Sequence, residues 1–408
     1  MPSPPFSALQ QPAVLIVGGS VRFLASSCQR AGWQVYAADR FGDADLLAIA
    51  AEHRPLPSDL IAAGDPFPEL PRIPFLFSGG LEHAAAFLER LDTTKTRAAA
   101  CPAAVQAARD INQLATEAAA AGLQVPDTHS SPEGLPTDGS FLVKPRDSVG
   151  GQGIAGWRGG SLPSRPSRWQ RVHAGIPHGV SLLLAGGQPP QLLGVCRSLR
   201  CAEATAAPGW AYSGSVTVAA PAWVSSVLVL ADRLARRHGL HGAVGIDCIV
   251  EPSGRVMVLE VNPRPTASME LHERTQGMSI ARQHLAAFGI PSPCLPSRLQ
   301  GSRPTASGKA ILYATDALTL SPSQADTLTE LSRRWAGQQP FPAVADLPSV
   351  GSPIDAGSPV LTVFADGPSS DVVDERLAQR LAQLREILRQ PAIRRGMLST
   401  AAGARNCI

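Results

Sequence analysis

Apolar residues recur along this chain in short β-branched runs broken by glycine, proline and serine, with helical spacing between them. Ala13–Val17 (AVLIV) predicts a buried strand, Gly18-Gly19-Ser20 a tight turn, Val21–Ala31 a helix and Trp33–Ala38 a second strand ending at Asp39. Ile73–Phe77 (IPFLF), Ser78-Gly79-Gly80 and a helical Leu81–Leu91 repeat the same order, so an N-terminal α/β unit ends near Leu91–Arg97. The small-residue stretch Pro102–Ala121 predicts one helix, and Phe141–Arg146, Trp169–His173, Val180–Leu184 and Gln191–Cys196 predict strands. Ser225–Arg237 carries Val227, Leu228, Leu230, Ala231 and Leu234 on one helical face. It leads into Gly245–Val250 and Val256–Val261, two runs that read as a hairpin around Ser253-Gly254. Beyond a helical Met278–Phe288 and a Pro/Ser-rich linker at Gly289–Ser307, the pattern predicts strands at Ala310–Ala314 and Val360–Phe364 and a turn-rich Asp346–Gly357. The helix Val372–Arg389 places Val373, Leu377, Leu381, Leu384 and Leu388 on one stripe, read as the core of its own unit.

The hairpin carries the chemistry. Side chains on paired strands alternate faces, so Asp247 on the first strand and Glu260 with Asn262 on the second share one side. Two carboxylates and an amide suit Mg²⁺, a hard cation that prefers oxygen and keeps positions for water and nucleotide phosphate. A second reading is an acidic hairpin that is merely solvated or paired to Arg264. Against it, Asp247 and Glu260 lie within runs of Val, Ile and Leu, where an ionised carboxylate needs compensation. Upstream, Lys144 ends the apolar run FLVK just before the glycine cluster Ser148-Val149-Gly150-Gly151-Gln152-Gly153. Backbone N–H groups of such a loop can fold over phosphates without side-chain obstruction; an ordinary hairpin is the alternative. Arg109-Asp110 interrupts the small-residue helix and reads as a solvated face. The glycine turn before Val21–Ala31, with Asp39 after the next strand, could bind a dinucleotide, but G-x-G-x-x-G is absent and an open α/β sheet uses the same turn structurally.

Composition narrows the partners. The 408 residues are 44% hydrophobic, enough for two or three packed domains. A net charge of +3 with no polybasic run favours neither nucleic acid nor membrane. Seven cysteines without a CxxC pair argue against a disulfide framework and a zinc knuckle, which fits a reducing cytoplasm.

The order VKPRDSVGGQGI, then GIDCIV, then EVNPRPTASMEL, together with GGSVR, FGDADL and VADLPSVGSPIDAGSPVLTVFADG, resembles the ATP-grasp superfamily and, within it, the branch labelled predicted ATP-dependent carboligase. The resemblance implies an α/β (α+β) fold with an N-terminal Rossmann-like domain (1–97), a central two-lobed grasp (98–290) and a small C-terminal α+β unit (308–390). It implies ATP with Mg²⁺, Mn²⁺ being admitted, and small-molecule carboxylate and amine substrates, with a homodimer compatible. Residue by residue, it implies that Lys144 and Ser148–Gly153 contact nucleotide phosphates, that Gln170, Arg171 and Val172 lie at the hinge facing adenine, that Asp247, Glu260 and Asn262 hold metal, and that Arg264 steadies the transferred phosphoryl group. Arg109 stands where a second early lysine is common. Arg197, Arg200, Tyr212 and Glu270 are candidates for binding the acyl donor or acceptor. The implied activity is amide formation through an acyl phosphate, with glutamate joined to an amine in assembly of a one-carbon-carrier coenzyme of the methanofuran or tetrahydromethanopterin type as the finer expectation. A biotin-type carboxylase component, which lacks an A-M-K-M sequence here, and a non-catalytic nucleotide-binding protein are the alternatives.

Overall fold

The structure is a computed structural model that describes residues 11–293 and 303–389. The N-terminal arm before Gln11, the centre of the Pro/Ser-rich linker and the tail from Gln390 lie outside the described residues.

The first sheet contains β1 (Ala13–Val17), β2 (Gln34–Asp39), β3 (Glu52–Pro55), β4 (Pro74–Phe77) and β5 (Thr96–Arg97), all parallel, in the order β3-β2-β1-β4-β5. Near-continuous apolar runs form β1 and β4 because parallel strands are covered on both faces. Helix α1 (Arg22–Arg30) follows β1, and α2 (Ala44–Leu47) and α3 (Ala85–Thr94) complete the unit. The chain order reverses between β1 and β4, the crevice position where open α/β sheets present their sites. Their two glycine turns nest there: Gly19 N–H donates to Gly79 O at 2.7 Å, and a Cβ on Gly18 would lie 1.9 Å from Ser78 Oγ. Asp39 faces inward, fully buried, and its carboxylate accepts from the N–H groups of Val21, Phe41 and Gly42 and pairs with His53. It therefore occupies the N-terminal end of α1 itself, which accounts for an acid after β2 on structural grounds alone.

Helix α3 starts at Ala85, four residues later than the periodicity suggests, because Leu81–Ala84 forms a turn. The predicted single helix over Pro102–Ala121 is two, α4 (Pro102–Arg109) and α5 (Ile111–Ala120). The break is Asp110, whose extended backbone (ψ 114°) and carboxylate, accepting from Asn112 and Gln113 N–H at 2.8 and 3.1 Å, make it the N-cap of α5.

A small antiparallel sheet follows, ordered β6-β9-β7-β8: β6 (Thr128–His129), β7 (Phe141–Pro145), β8 (Ala155–Gly156) and β9 (Ser167–Arg171). Phe141, Trp157 and Trp169 fill its buried side. The largest sheet contains β10 (Ile176–Leu184), β11 (Gln191–Ser198), β12 (Gly214–Val218), β13 (Gly242–Val250), β14 (Val256–Asn262), β15 (Ala306–Tyr313), β17 (Val344–Ala345) and β19 (Pro359–Gly367). Its order is β14-β13-β10-β11-β12-β15-β19-β17, so the strands of the C-terminal stretch continue the sheet that carries the acidic hairpin. Two short strands, β16 (Leu318–Thr319) and β18 (Pro353–Ile354), pair beside it. Helices α6 (Val224–His238), α7 (Met269–Gln276), α8 (Ile280–Ala287), α9 (Pro322–Ala336) and α10 (Ser370–Arg389) cover the sheets. The α10 stripe Val373, Leu377, Leu381 and Leu384 is fully buried in the cluster built by β15 and β19, as a core stripe should be. Helix α9 carries a capping box, Ser321 with Gln324, and Pro322 in its first turn.

Two neutral histidines are locked into this packing. His284 on α8 donates from Nε2 to Ala98 O at 2.7 Å and accepts at Nδ1 from Ala243 N–H at 2.9 Å, tying the N-terminal unit to β13. Burial pushes its pKa down to about 4, as it does for His272 on α7. A histidine whose folded pKa lies below its unfolded value stabilises fully above about pH 6.5, and that contribution is lost as pH falls toward 4. The melting temperature of the wild type is therefore expected to fall more between pH 6.5 and 4.5 than that of a His272→Leu variant, measured by calorimetry over that range. Parallel declines would contradict it.

Candidate active site

The site forms where the small sheet, the acidic hairpin and the nested glycine turns meet. In the β13–β14 register Asp247 stands directly opposite Glu260, and Gly245 opposite Asn262. A bulge after Asp247 leaves Leu259 as the extra residue, so Asp247 and Glu260 remain on one face. Asn262 Nδ2 donates to Asp247 Oδ2 at 2.9 Å. On the other flank β10 presents Gly179 opposite Asp247, and a Cβ there would lie 3.4 Å from Asp247 Oδ1, so glycine keeps that side open. Burial, then the neighbouring Glu260 carboxylate, push Asp247 up to about 7. Such a shift means that two acids are held together without enough positive charge between them. A divalent cation fits this donor set of two carboxylates and an amide oxygen. Among the described residues no group of three or more His, Cys, Asp or Glu could hold a metal, so a third protein oxygen here has to be an amide, and Asn262 is the amide beside Asp247.

Facing the carboxylates is a set of cations. Lys144 on β7 stands opposite Arg168 on β9, and their side chains share the face that also carries Gln170. Lys144 Nζ donates to Gln170 Oε1 at 2.9 Å, and the buried Gln170 in turn donates to Thr128 Oγ1 at 3.3 Å. Burial lowers the Lys144 pKa, while Glu260 and Asp247 pull it back up. Arg168 is more revealing: its Nε is buried with no hydrogen-bond partner among the described residues, and burial, with Arg109 and Arg146 beside it, lowers its pKa against the pull of Glu260. Arg109, delivered by the last turn of α4, donates to Arg146 O at 3.2 Å and lines a pocket with Arg168, Leu259 and Glu260. Its placement corrects the solvated-face reading of Arg109-Asp110: one residue enters the cleft and the other caps a helix. A buried guanidine Nε without a partner, among other cations, calls for an anion.

The glycine loop lies between residues 210–212 and the Gly79 turn. Gly150, Gly151 and Gly153 have φ of +59°, +77° and +73°, and Ser148 Oγ donates to Gln152 O at 2.6 Å, which tightens the loop on itself. Tyr212 N–H donates to Gly150 O at 2.7 Å, and a Cβ on Gly151 would lie 1.9 Å from Trp210 O, so only glycine fits against that neighbouring loop. On its other side Val149 reaches the Gly79 turn.

Arg264, just beyond β14, donates from Nε to Glu82 Oε1 at 2.5 Å and lies against Gly79. Arg171 and Val172 follow a different course from Gln170. Arg171 places its guanidinium over the Phe141 ring at 4.6 Å, and Val172 N–H donates to Ser140 O. The four candidates for the acyl donor or acceptor all have structural partners. Arg197 pairs with Asp374, Arg200 with Asp371, Tyr212 OH with Ser215 Oγ, and Glu270 with Arg22. They brace the sheet and helices, which their sequence neighbourhood does not reveal.

Comparisons with known proteins bear on the fold. Residues 110–268 match a family model described as an ATP-grasp domain. No curated protein sequence matches the chain. Among solved structures it is similar to an L-amino acid ligase from Bacillus licheniformis, with a TM-score of 0.63 and 15% identity over 92% of this chain and 98% of that one. It is also similar to N5-carboxyaminoimidazole synthetase from Staphylococcus aureus complexed with ADP (TM-score 0.63, 14% identity, 92% and 99% covered). A third is the biotin carboxylase domain of Hydrogenobacter thermophilus 2-oxoglutarate carboxylase, in complex with MgADP, ADP and bicarbonate (0.61, 15%, 90% and 89%). The chain has the ATP-grasp fold, and residues 110–268 are the part that matches the ATP-grasp domain model. No helix of the described residues is long and apolar enough to cross a membrane.

Proposed function

We propose that the protein is an ATP-dependent carboxylate–amine ligase. The observation that carries this reading is the opposition of Asp247, Glu260 and Asn262 to Lys144 and to Arg168, whose Nε has no partner among the described residues, beneath a glycine loop. Asp247, Glu260 and Asn262 would hold Mg²⁺ (or Mn²⁺), which when bound supplies positive charge to the phosphates. Lys144, Arg109 and Arg168 offset the remaining triphosphate charge, and Ser148–Gly153 excludes water from it. Gln170 orients Lys144 by accepting its hydrogen bond. Arg264 faces the transferring phosphoryl group and stabilises its equatorial oxygens. A substrate carboxylate oxygen bonds to the γ-phosphorus as the bond to ADP breaks, giving an acyl phosphate. The amine then attacks the acyl carbon, phosphate leaves with the bonding electron pair, and the amine gives up its proton to complete the amide.

The similarity to ligases of amino acids supports a small carboxylate as acyl donor. The finer reading is glutamate joined to an amine during assembly of a one-carbon-carrier coenzyme. The carboxylase neighbours favour a second reading in which bicarbonate is the carboxylate. The test is ADP release by the full chain with Mg²⁺ and ATP against a matrix of carboxylic acids, glutamate and bicarbonate included, and amines. ADP release that needs both an acid and an amine supports the ligase, and bicarbonate dependence selects the carboxylase. Tight nucleotide binding without turnover in any pair would leave only a binding protein.

A further inference from the structure

The geometry points to Glu82, in the N-terminal unit, as the positioning residue that aims Arg264 into the phosphoryl-transfer cleft; this rests on the role given to Arg264 above. Glu82 sits in the turn that delays α3, and its side chain is 4% exposed. One carboxylate oxygen accepts from Gly80 N–H at 2.8 Å and the other from Arg264 Nε at 2.5 Å, so both of its oxygens are committed. Burial alone would raise the Glu82 carboxyl, yet the Arg264 guanidinium beside it holds it at about 2. The Glu82 carboxylate is therefore ionised throughout the working pH range.

A guanidinium offers five N–H donors in a rigid fork. Arg264 directs Nε to Glu82, Nη1 to Pro265 O at 3.1 Å and Nη2 to Asn262 Oδ1 at 3.4 Å. Three directions are then fixed, and two N–H groups remain for a ligand. The plane is set as well. A Cβ on Gly79 would lie 2.9 Å from Nη2 and 3.0 Å from Cζ, so the turn packs flat against the fork and admits no side chain there. Without Glu82 the guanidinium would keep only its two weaker backbone and amide contacts, on a partly exposed side chain with several rotatable bonds. Glu82 thus reaches across 182 residues of sequence to make the first α/β unit part of the catalytic apparatus.

The test uses no unidentified substrate. The full chain is titrated calorimetrically with MgADP and with MgADP plus aluminium fluoride, a mimic of the transferring phosphoryl group. The wild type should bind the fluoride complex more tightly. Glu82→Gln should keep MgADP affinity, and both it and Arg264→Ala should lose the extra tightness by on the order of 10²-fold. The double variant should lose no more than either single one, and Glu82→Asp should recover part. A purely structural Glu82 would lower the melting temperature of Glu82→Gln and leave the affinity gap intact, which overturns the proposal. An Arg264→Ala variant that keeps the gap, or a wild type without one, overturns the role of Arg264 and this proposal with it. A wild type that does not bind MgADP overturns the ligase reading itself.

Discussion

A Glu260→Gln variant is expected to lose ADP formation by on the order of 10²- to 10³-fold while melting at or above the wild-type temperature. Gln keeps the shape and removes one charge from a pair that burial and mutual repulsion already strain, as the rise of Asp247 to about 7 shows. Removing Glu260's charge therefore relieves the fold even as it removes a donor that Mg²⁺ needs. Steady-state ADP release and calorimetric melting of the same preparation separate the two effects. Unfolding with unchanged activity per folded molecule would make Glu260 a structural carboxylate.

Arg22→Ala should have the largest effect on stability, on the order of 3–5 kcal/mol by urea unfolding. Arg22 is 2% exposed and makes a bidentate pair with Glu270. It also donates from Nε to Asp346 at 2.8 Å, so α1, α7 and the loop after β17 are joined at one guanidinium. Lys309 stands 3.5 Å from Glu270 and is the cation left behind. Asp346 itself holds a left-handed backbone (φ 54°), so the loop depends on this contact to offset its conformation. Truncating Arg22 leaves the buried Glu270 with Lys309 alone and takes the guanidinium away from the partly exposed Asp346. Adding Glu270→Gln to the variant should recover part of the loss, and a single variant as stable as the wild type would show that the cluster contributes nothing net.

What the sequence revealed follows from the range over which its signals act. The hairpin of Asp247 and Glu260 was legible because β-branched alternation is local, and so were β1, β4 and the α10 stripe. The opposition of Lys144 to Arg168 was not, since a strand pairing across 24 residues leaves no mark in either run, and Arg168 looks like any arginine flanked by serine and tryptophan. Asp110 carried a readable signal, an Asp followed by a helical run, but the small residues around it masked the break. The capping box Ser321-Pro322-Ser323-Gln324 of α9 was equally present, and the long polar face of that helix hid it. Glu82 could not be found from periodicity, because it matters only where the helix fails to start. The union of the C-terminal strands with the hairpin sheet depends on β12 pairing with β15, a contact between segments about 90 residues apart.

The most direct test is a crystal structure of the full chain with Mg²⁺ and a non-hydrolysable ATP analogue. The account requires the metal against Asp247, Glu260 and Asn262, phosphate oxygens on Lys144 and Arg168 Nε, and Ser148–Gly153 folded above them. A triphosphate bound elsewhere, with the three oxygen donors engaging only protein groups and Arg168 still unpartnered, would contradict it.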